Sequence, residues 1–288
     1  DLDKYYEDQD IVELSEKYYK TLDMPVNDIL EKSDLYAKEG KNQHAYCTNI
    51  DRDEKDVRVL CNVEPNSRWM ETMLHELGHA VYEKYYDEDL PWLLKEPANT
   101  FTTEAIAMLF GRLASNPEWI QKMTDITDDE RSLISPVCNK ISTMQQLVFS
   151  RWAQVMYRFE KNMYEDPDQD LNKLWWKLAQ EYQLLKKPEG RDKPDWATKI
   201  HVALFPCYYH NYLMGEILAS QLHEHIVNEI YNGDMDQVYS YYGKEEVGNY
   251  LKKYVFSPGV FYHWNDMIEK ATGEKLNAKA YAKQFINQ

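Results

Sequence analysis

Along most of the chain apolar residues recur three and four positions apart, the repeat of a helix that buries one face. The reading that follows is a mainly α fold. Asp10 to Leu22 forms one amphipathic helix that Pro25 closes, and Val26 to Leu35 forms a shorter one that ends before Gly40. Proline and glycine act as stops because one lacks the amide donor and the other has the most backbone freedom to lose. One stretch departs from the helical repeat. HAYCTNI, starting at His44, and DVRVLCNV, ending at Val63, surround the polar turn DRDEKD, which predicts a two-stranded hairpin.

Asn66 or Ser67 can cap the next helix, which runs to about Tyr86 with Trp69, Met70, Met73, Leu74, Leu77 and Val81 on its apolar face. A connection containing Pro91 and Pro97 leads to a helix over Thr100 to Leu113, capped by Asn99 or Thr100. After Pro117 come long helices over Ser132 to Tyr164, Leu171 to Leu185, Phe205 to Tyr231 and Met235 to Tyr254, then shorter ones over Val260 to Thr272 and Ala278 to Ile286. There is no internal repeat, and residues 1–288 are expected to form a single domain.

Composition narrows the function. The net charge of −16 argues against a nucleic-acid partner, which calls for clustered Lys and Arg, and favours encounter with cationic peptides. No apolar run reaches the roughly 18 residues of a membrane-spanning helix. The acidic start, Asp1 to Asp10, holds no signal-peptide block, so neither a membrane partner nor a compartment is indicated. Cys47, Cys61, Cys138 and Cys207 are too scattered for a disulfide scaffold or a thiolate zinc site. Cys47 and Cys61 could be bridged across the hairpin or remain unpaired, partly buried thiols. The 23 tyrosines and 8 tryptophans mostly suit packing between helices, and some could line a peptide groove.

His75-Glu76-Leu77-Gly78-His79 puts two imidazoles on one helical face, with a glutamate beside the first. The flanking helix is strongly apolar, so exposed histidines on a solvated face are the weaker reading. A catalytic zinc takes three protein ligands and keeps one position for water. Glu104 follows His79 by 25 residues, early in the next helix, and reaches the metal if the two helices pack antiparallel. Glu96 precedes a proline in a loop and Glu83 lies on the motif helix itself, so both are poorer ligands. Two imidazoles and a carboxylate suit zinc, one ion per chain. Such an ion polarises a scissile carbonyl, while Glu76 takes a proton from the attacking water and passes it to the leaving amine. The alternative is a non-catalytic peptide-binding or scaffold protein with a structural zinc site. An aminopeptidase ranks lower, since no GxMEN-type element is present.

The stretch HELGHAVYEKYYDEDLPWLLKEPANTFTTEA, from His75 to Ala105, resembles peptidyl-dipeptidase A, the angiotensin-converting enzyme family, in its HExxH, DLP step, AN pair and Glu-Ala. The resemblance continues through His44-Ala45 with Cys61, and through Lys199-Ile200-His201 with the Tyr-rich helix beyond, so it spans about residues 10 to 272. The related thimet oligopeptidase and oligopeptidase F family shares these elements, and the choice between the two stays open.

The resemblance implies a gluzincin-type helical catalytic lobe with a small hairpin at the edge of the active-site groove. It further implies hydrolysis of short peptides, as an oligopeptidase or a dipeptidyl carboxypeptidase. On the same basis the backbone around His44 and Ala45 forms an edge strand to which substrate adds itself, and His201 donates to the substrate backbone. Tyr212 helps stabilise the oxyanion, with Tyr209 one turn earlier and Tyr208 competing for that register. Lys199 falls where the family holds the terminal carboxylate of the substrate. Two positions depart from the pattern: Met108 stands where the family has an aspartate, and Gln43 where it has a cysteine. The resemblance covers only the catalytic, C-terminal half of such enzymes, so an N-terminal lid lobe of the same protein is an expected partner.

Overall fold

The structure, a computed structural model, describes residues 1–233 and 239–286. It is mainly α-helical, with one two-stranded antiparallel sheet. In chain order the elements are α1 (Ile11–Thr21), α2 (Asn27–Lys32), β1 (Tyr46–Asp51), β2 (Asp56–Leu60), α3 (Ser67–Lys84), α4 (Thr100–Gly111) and α5 (Pro117–Thr124). They continue with α6 (Asp128–Glu165), α7 (Leu171–Gln183), α8 (Ile200–Ala203), α9 (His210–Glu229), α10 (Glu245–Leu251), α11 (Trp264–Thr272) and α12 (Lys279–Ile286). Two compact units divide the chain, Asp1–Lys140 with Gly215–Gln288, and Ile141–Met214. No described helix is long and apolar enough to cross a membrane.

The core of the first unit forms around α3, whose Met70, Met73, Leu74, Leu77, Ala80 and Val81 are fully buried. Burying each larger apolar side chain contributes about 1.5–3 kcal/mol. The Asn66 side chain accepts from the Trp69 amide and sets where this helix starts. Tyrosines knit the surrounding elements together. Tyr19 donates its hydroxyl to the Leu74 carbonyl at 2.6 Å, joining α1 to α3, and Tyr6 donates to the Ala114 carbonyl at 2.5 Å. Tyr18 reaches the Ser240 carbonyl at 2.8 Å. These rings bury large apolar areas while each hydroxyl finds an acceptor, so packing accounts for much of the tyrosine content. Helix α4 is buried on nearly every side, from Phe101 to Gly111, as expected of a helix that is apolar all round.

The hairpin packs on α3 through the inward side chains of Val57 and Val59, while Arg58 between them faces outward. Asp34 covers the outer side of β2: its amide donates to the Val59 carbonyl and its carbonyl accepts from the Cys61 amide. That bridge also explains why α2 stops at Lys32, short of the expected Leu35. The outer edge of β1 pairs with no other strand among the described residues. The strand begins at Tyr46, so His44 and Ala45 lie just outside it, a correction to the expected edge strand. The Asn42 side chain accepts the His44 amide at 3.0 Å, a local turn that draws this backbone away from extended pairing. Cys47 stands opposite Val59 in the register, and all four cysteines are free thiols.

Pro117 opens an additional helix, α5, behind an Asn116 cap, because a first-turn residue needs no amide donor. Helix α9 starts at His210 rather than Phe205, after Pro206 and a left-handed Cys207 at φ 57°. Of the helix expected over Met235 to Tyr254, residues 235–238 lie outside the described residues. Left-handed Tyr241 and Gly243 keep the following chain in turns until Glu245. Beyond Leu251 the helix widens into a π turn over Lys252–Phe256.

The second unit has its own core of Val155, Met156, Phe159, Trp175 and Leu178, with Trp152, Trp196 and Tyr209 packed against it. Phe159 and Trp175 meet edge-on with centroids 5.2 Å apart.

Candidate active site

Helix α3 carries His75, Glu76 and His79, and the two imidazoles meet edge to face with centroids 4.9 Å apart. On α4 an Asn99 capping box with Thr102 fixes the helix start, and that start determines which residue of the second turn faces α3. The residue is Glu104. Its Oε2 lies 3.7 Å from Nε2 of His75 and 3.7 Å from Nε2 of His79. The three ligand atoms all fall within 4.8 Å of one another, and no other such group of His, Cys, Asp or Glu occurs among the described residues. Ligands about 2.0–2.1 Å from a tetrahedral ion stand about 3.4 Å apart, so the donor set fits a metal ion with a small inward movement.

The electrostatics suit the same conclusion. Burial lowers the His75 imidazole to about 4, and burial followed by the neighbouring His75 holds His79 well below the ordinary histidine range. Both rings are therefore neutral at pH 7, the form in which histidine ligates. Burial and then the Glu104 charge push Glu76 up to about 8. A cation at the triad would bring it back down, since an opposite charge favours the carboxylate.

Both rival carboxylates are engaged elsewhere. Glu83 accepts from Nδ2 of Asn49 at 2.9 Å, and Glu96 pairs with Arg52. The first contact clamps β1 along α3. The Cys47 thiol is raised by burial and then by the charge of Glu76. Met108 is buried and offers no carboxylate.

His201, Tyr209, Tyr212 and Lys199 lie in the second unit. Nε2 of His201 is 3.1 Å from the Tyr212 hydroxyl, and the Tyr209 ring is 5.1 Å from each of their rings. Tyr208 also reaches Tyr212, with centroids 5.3 Å apart, so both tyrosines of the ambiguous register flank it. The Tyr209 hydroxyl accepts from Nε1 of Trp152 at 2.7 Å, and the Lys199 ammonium rests 4.9 Å over the ring of that same tryptophan.

A family profile described as angiotensin-converting enzyme, peptidase M2, matches residues 2–286. The chain belongs to the angiotensin-converting enzyme family. An angiotensin-converting enzyme-related protein of Drosophila melanogaster is 22% identical over 234 residues, which cover 77% of this chain and 36% of that protein. An inactive angiotensin-converting enzyme-related protein of Caenorhabditis elegans is 25% identical over 133 residues, 44% of this chain and 15% of that protein. The chain thus spans about a third of the length of the first of these relatives.

Within this member of the angiotensin-converting enzyme family, three glycines that sequence reasoning passed over shape the site. A Cβ on Gly78, between the two histidines, would lie 2.8 Å from the Ala107 Cα. One on Gly111 would press on His75 at 3.3 Å, and one on Gly215 would meet the Glu104 Cβ at 3.0 Å. Glycine costs a helix interior about 1 kcal/mol relative to alanine, so glycine inside α3 was the available signal of a close approach. Thr103, which precedes Glu104, also escaped sequence reasoning; its Oγ1 lies 2.7 Å from Nδ1 of His79.

Proposed function

We propose that this chain is the catalytic part of a zinc peptidase that hydrolyses peptide bonds of short peptides, as an oligopeptidase or a dipeptidyl carboxypeptidase. The observation that carries the reading is the equal 3.7 Å separation of the Glu104 carboxylate from both imidazoles, with Glu76 beside the first of them.

His75, His79 and Glu104 hold the ion, which when bound supplies Lewis acidity toward a carbonyl and toward a water molecule. Glu76 removes a proton from the attacking water and returns it to the departing amine, with no covalent intermediate on the protein. Its burial keeps competing solvent from the carboxylate and strengthens its electrostatic interactions. The unpaired edge of β1 receives the substrate backbone as an added strand, an arrangement that orients a peptide by main-chain hydrogen bonds. His201 and Tyr212 are assigned as donors to the substrate backbone and to the developing oxyanion, and Tyr209 supports Tyr212 by ring contact. Lys199 is assigned to the terminal carboxylate of the substrate.

A second reading, a peptide-binding protein with a structural metal, is favoured by the name of the worm relative. A glutamate placed to act as a base has no use in that role. Metal analysis of the purified chain and incubation with a mixed peptide library, read by mass spectrometry, separate the two. One zinc per chain with new peptide termini is the expected result; bound zinc with an untouched library would leave the scaffold reading in its place.

A further inference from the structure

We propose that Thr103 is a positioning residue of the metal centre, whose hydroxyl fixes the tautomer and ring rotation of His79. The inference rests on the reading of His75, His79 and Glu104 as a metal site.

A neutral imidazole carries one N–H and one lone pair. His79 turns Nε2 toward Glu104 and Nδ1 toward Thr103, at 3.7 and 2.7 Å. Ligation through Nε2 requires the proton on Nδ1, and that proton needs an acceptor. The Thr103 oxygen stands where the acceptor must be. In the opposite tautomer a proton on Nε2 would point at a carboxylate too distant for a hydrogen bond. Metal binding therefore selects the tautomer in which His79 donates to Thr103.

The neighbouring threonine has other work. Thr102 donates to the Asn99 carbonyl at 2.7 Å in the helix cap and lies 3.3 Å from the Tyr82 hydroxyl. The cap sets the register of α4, so Thr103 and Glu104 reach the two nitrogens of one ring from a single helical turn. His75 has no comparable support: its Nδ1 makes no hydrogen bond among the described residues, and Gly111 packs beside it. Orientation of the imidazole pair thus falls mainly on the His79–Thr103 contact. A hydroxyl orients the ring without adding the negative charge that a carboxylate partner would bring to the ion.

Zinc affinity of the chain, measured by competition with a chelator, tests this on the wild type, Thr103→Val and Thr103→Ser. Thr103→Val keeps the shape and removes the acceptor, and weakens zinc about 10–100-fold. Thr103→Ser restores affinity close to wild type. The visible spectrum of the cobalt-loaded protein changes with Val and returns with Ser. Urea unfolding of the metal-free proteins shows all three folded, with Val lowered at most by the loss of the one hydrogen bond. Equal affinity in Thr103→Val and wild type would overturn the inference while leaving the metal site intact. Equal weakening by Val and Ser, or a metal-free protein destabilised by Val in step with its affinity, would also overturn it. No stoichiometric zinc in the wild type would remove the underlying site itself.

Discussion

Gly78 and Ala107 meet backbone to backbone, since a Cβ on Gly78 would lie 2.8 Å from the Ala107 Cα. The contact lies between the two histidines on one side and three residues beyond Glu104 on the other. It sets how near the carboxylate comes to the imidazoles.

Gly78→Ala gains about 1 kcal/mol of helix propensity and meets an overpacking cost of about 1–3 kcal/mol. The obstructing atoms belong to a helix backbone that cannot swing aside, so the expected outcome is a less stable protein. Because α3 and α4 are pushed apart, zinc affinity falls as well. Urea unfolding and chelator competition measure both, and unchanged values would contradict the close approach.

Glu76→Gln removes the proton acceptor and leaves the three ligands in place. Peptide hydrolysis is expected to drop by at least about 100-fold, with one zinc still bound per chain. Cleavage at the wild-type rate by this variant would exclude Glu76 as the base.

Removal of the metal lowers stability, because an ion bound only to the folded state adds about 4 kcal/mol at a thousandfold excess over its Kd. Thermal unfolding of the wild type should shift upward when zinc is restored to the stripped protein. Glu104→Gln should abolish that shift. A zinc-dependent shift persisting in the variant would point to a different ligand set.

Acid is expected to weaken the metal-free protein. His75 has a folded value of about 4 against an ordinary 6.5, so between these the unfolded chain binds a proton that the folded chain refuses. Stability from this group is present above 6.5 and is lost as the pH falls toward 4. His223, also lowered to about 4 by burial and then by Arg112, adds in the same direction. Glu76 opposes them: raised from 4.5 to about 8, it contributes stability below 4.5 that is lost as the pH rises through 8. In stripped Glu76→Gln the imidazoles, each contributing a slope of up to about 1.4 kcal/mol per pH unit, are set against only Glu71 and Glu83, which burial also raises. Urea midpoints at pH 7, 6 and 5 should fall in order, and a flat series would mean that the imidazoles are not held neutral.

Much of the centre was legible in the residue order. Four-residue spacing on a helix is enough to put two imidazoles on one face, and an asparagine cap is enough to set where α4 begins and which way Glu104 points. The rest was not, because it depends on partners distant in the chain. Nothing local says that Asn49 claims Glu83 or that Arg52 claims Glu96, and those pairings remove the rival ligands. The late start of α9 depends on the left-handed Cys207, whose amide is taken by Glu160.

Periodicity and caps were sufficient for the helical class and the hairpin, and one short motif was sufficient to put His75 and His79 on one face, because each follows from the geometry of a single element. Distances between elements were decided only in the folded chain. How closely Gly78 lets α4 approach, and that Thr103 rather than a carboxylate faces His79, are outcomes of packing among side chains far apart in sequence. Packing of that kind has no period to read.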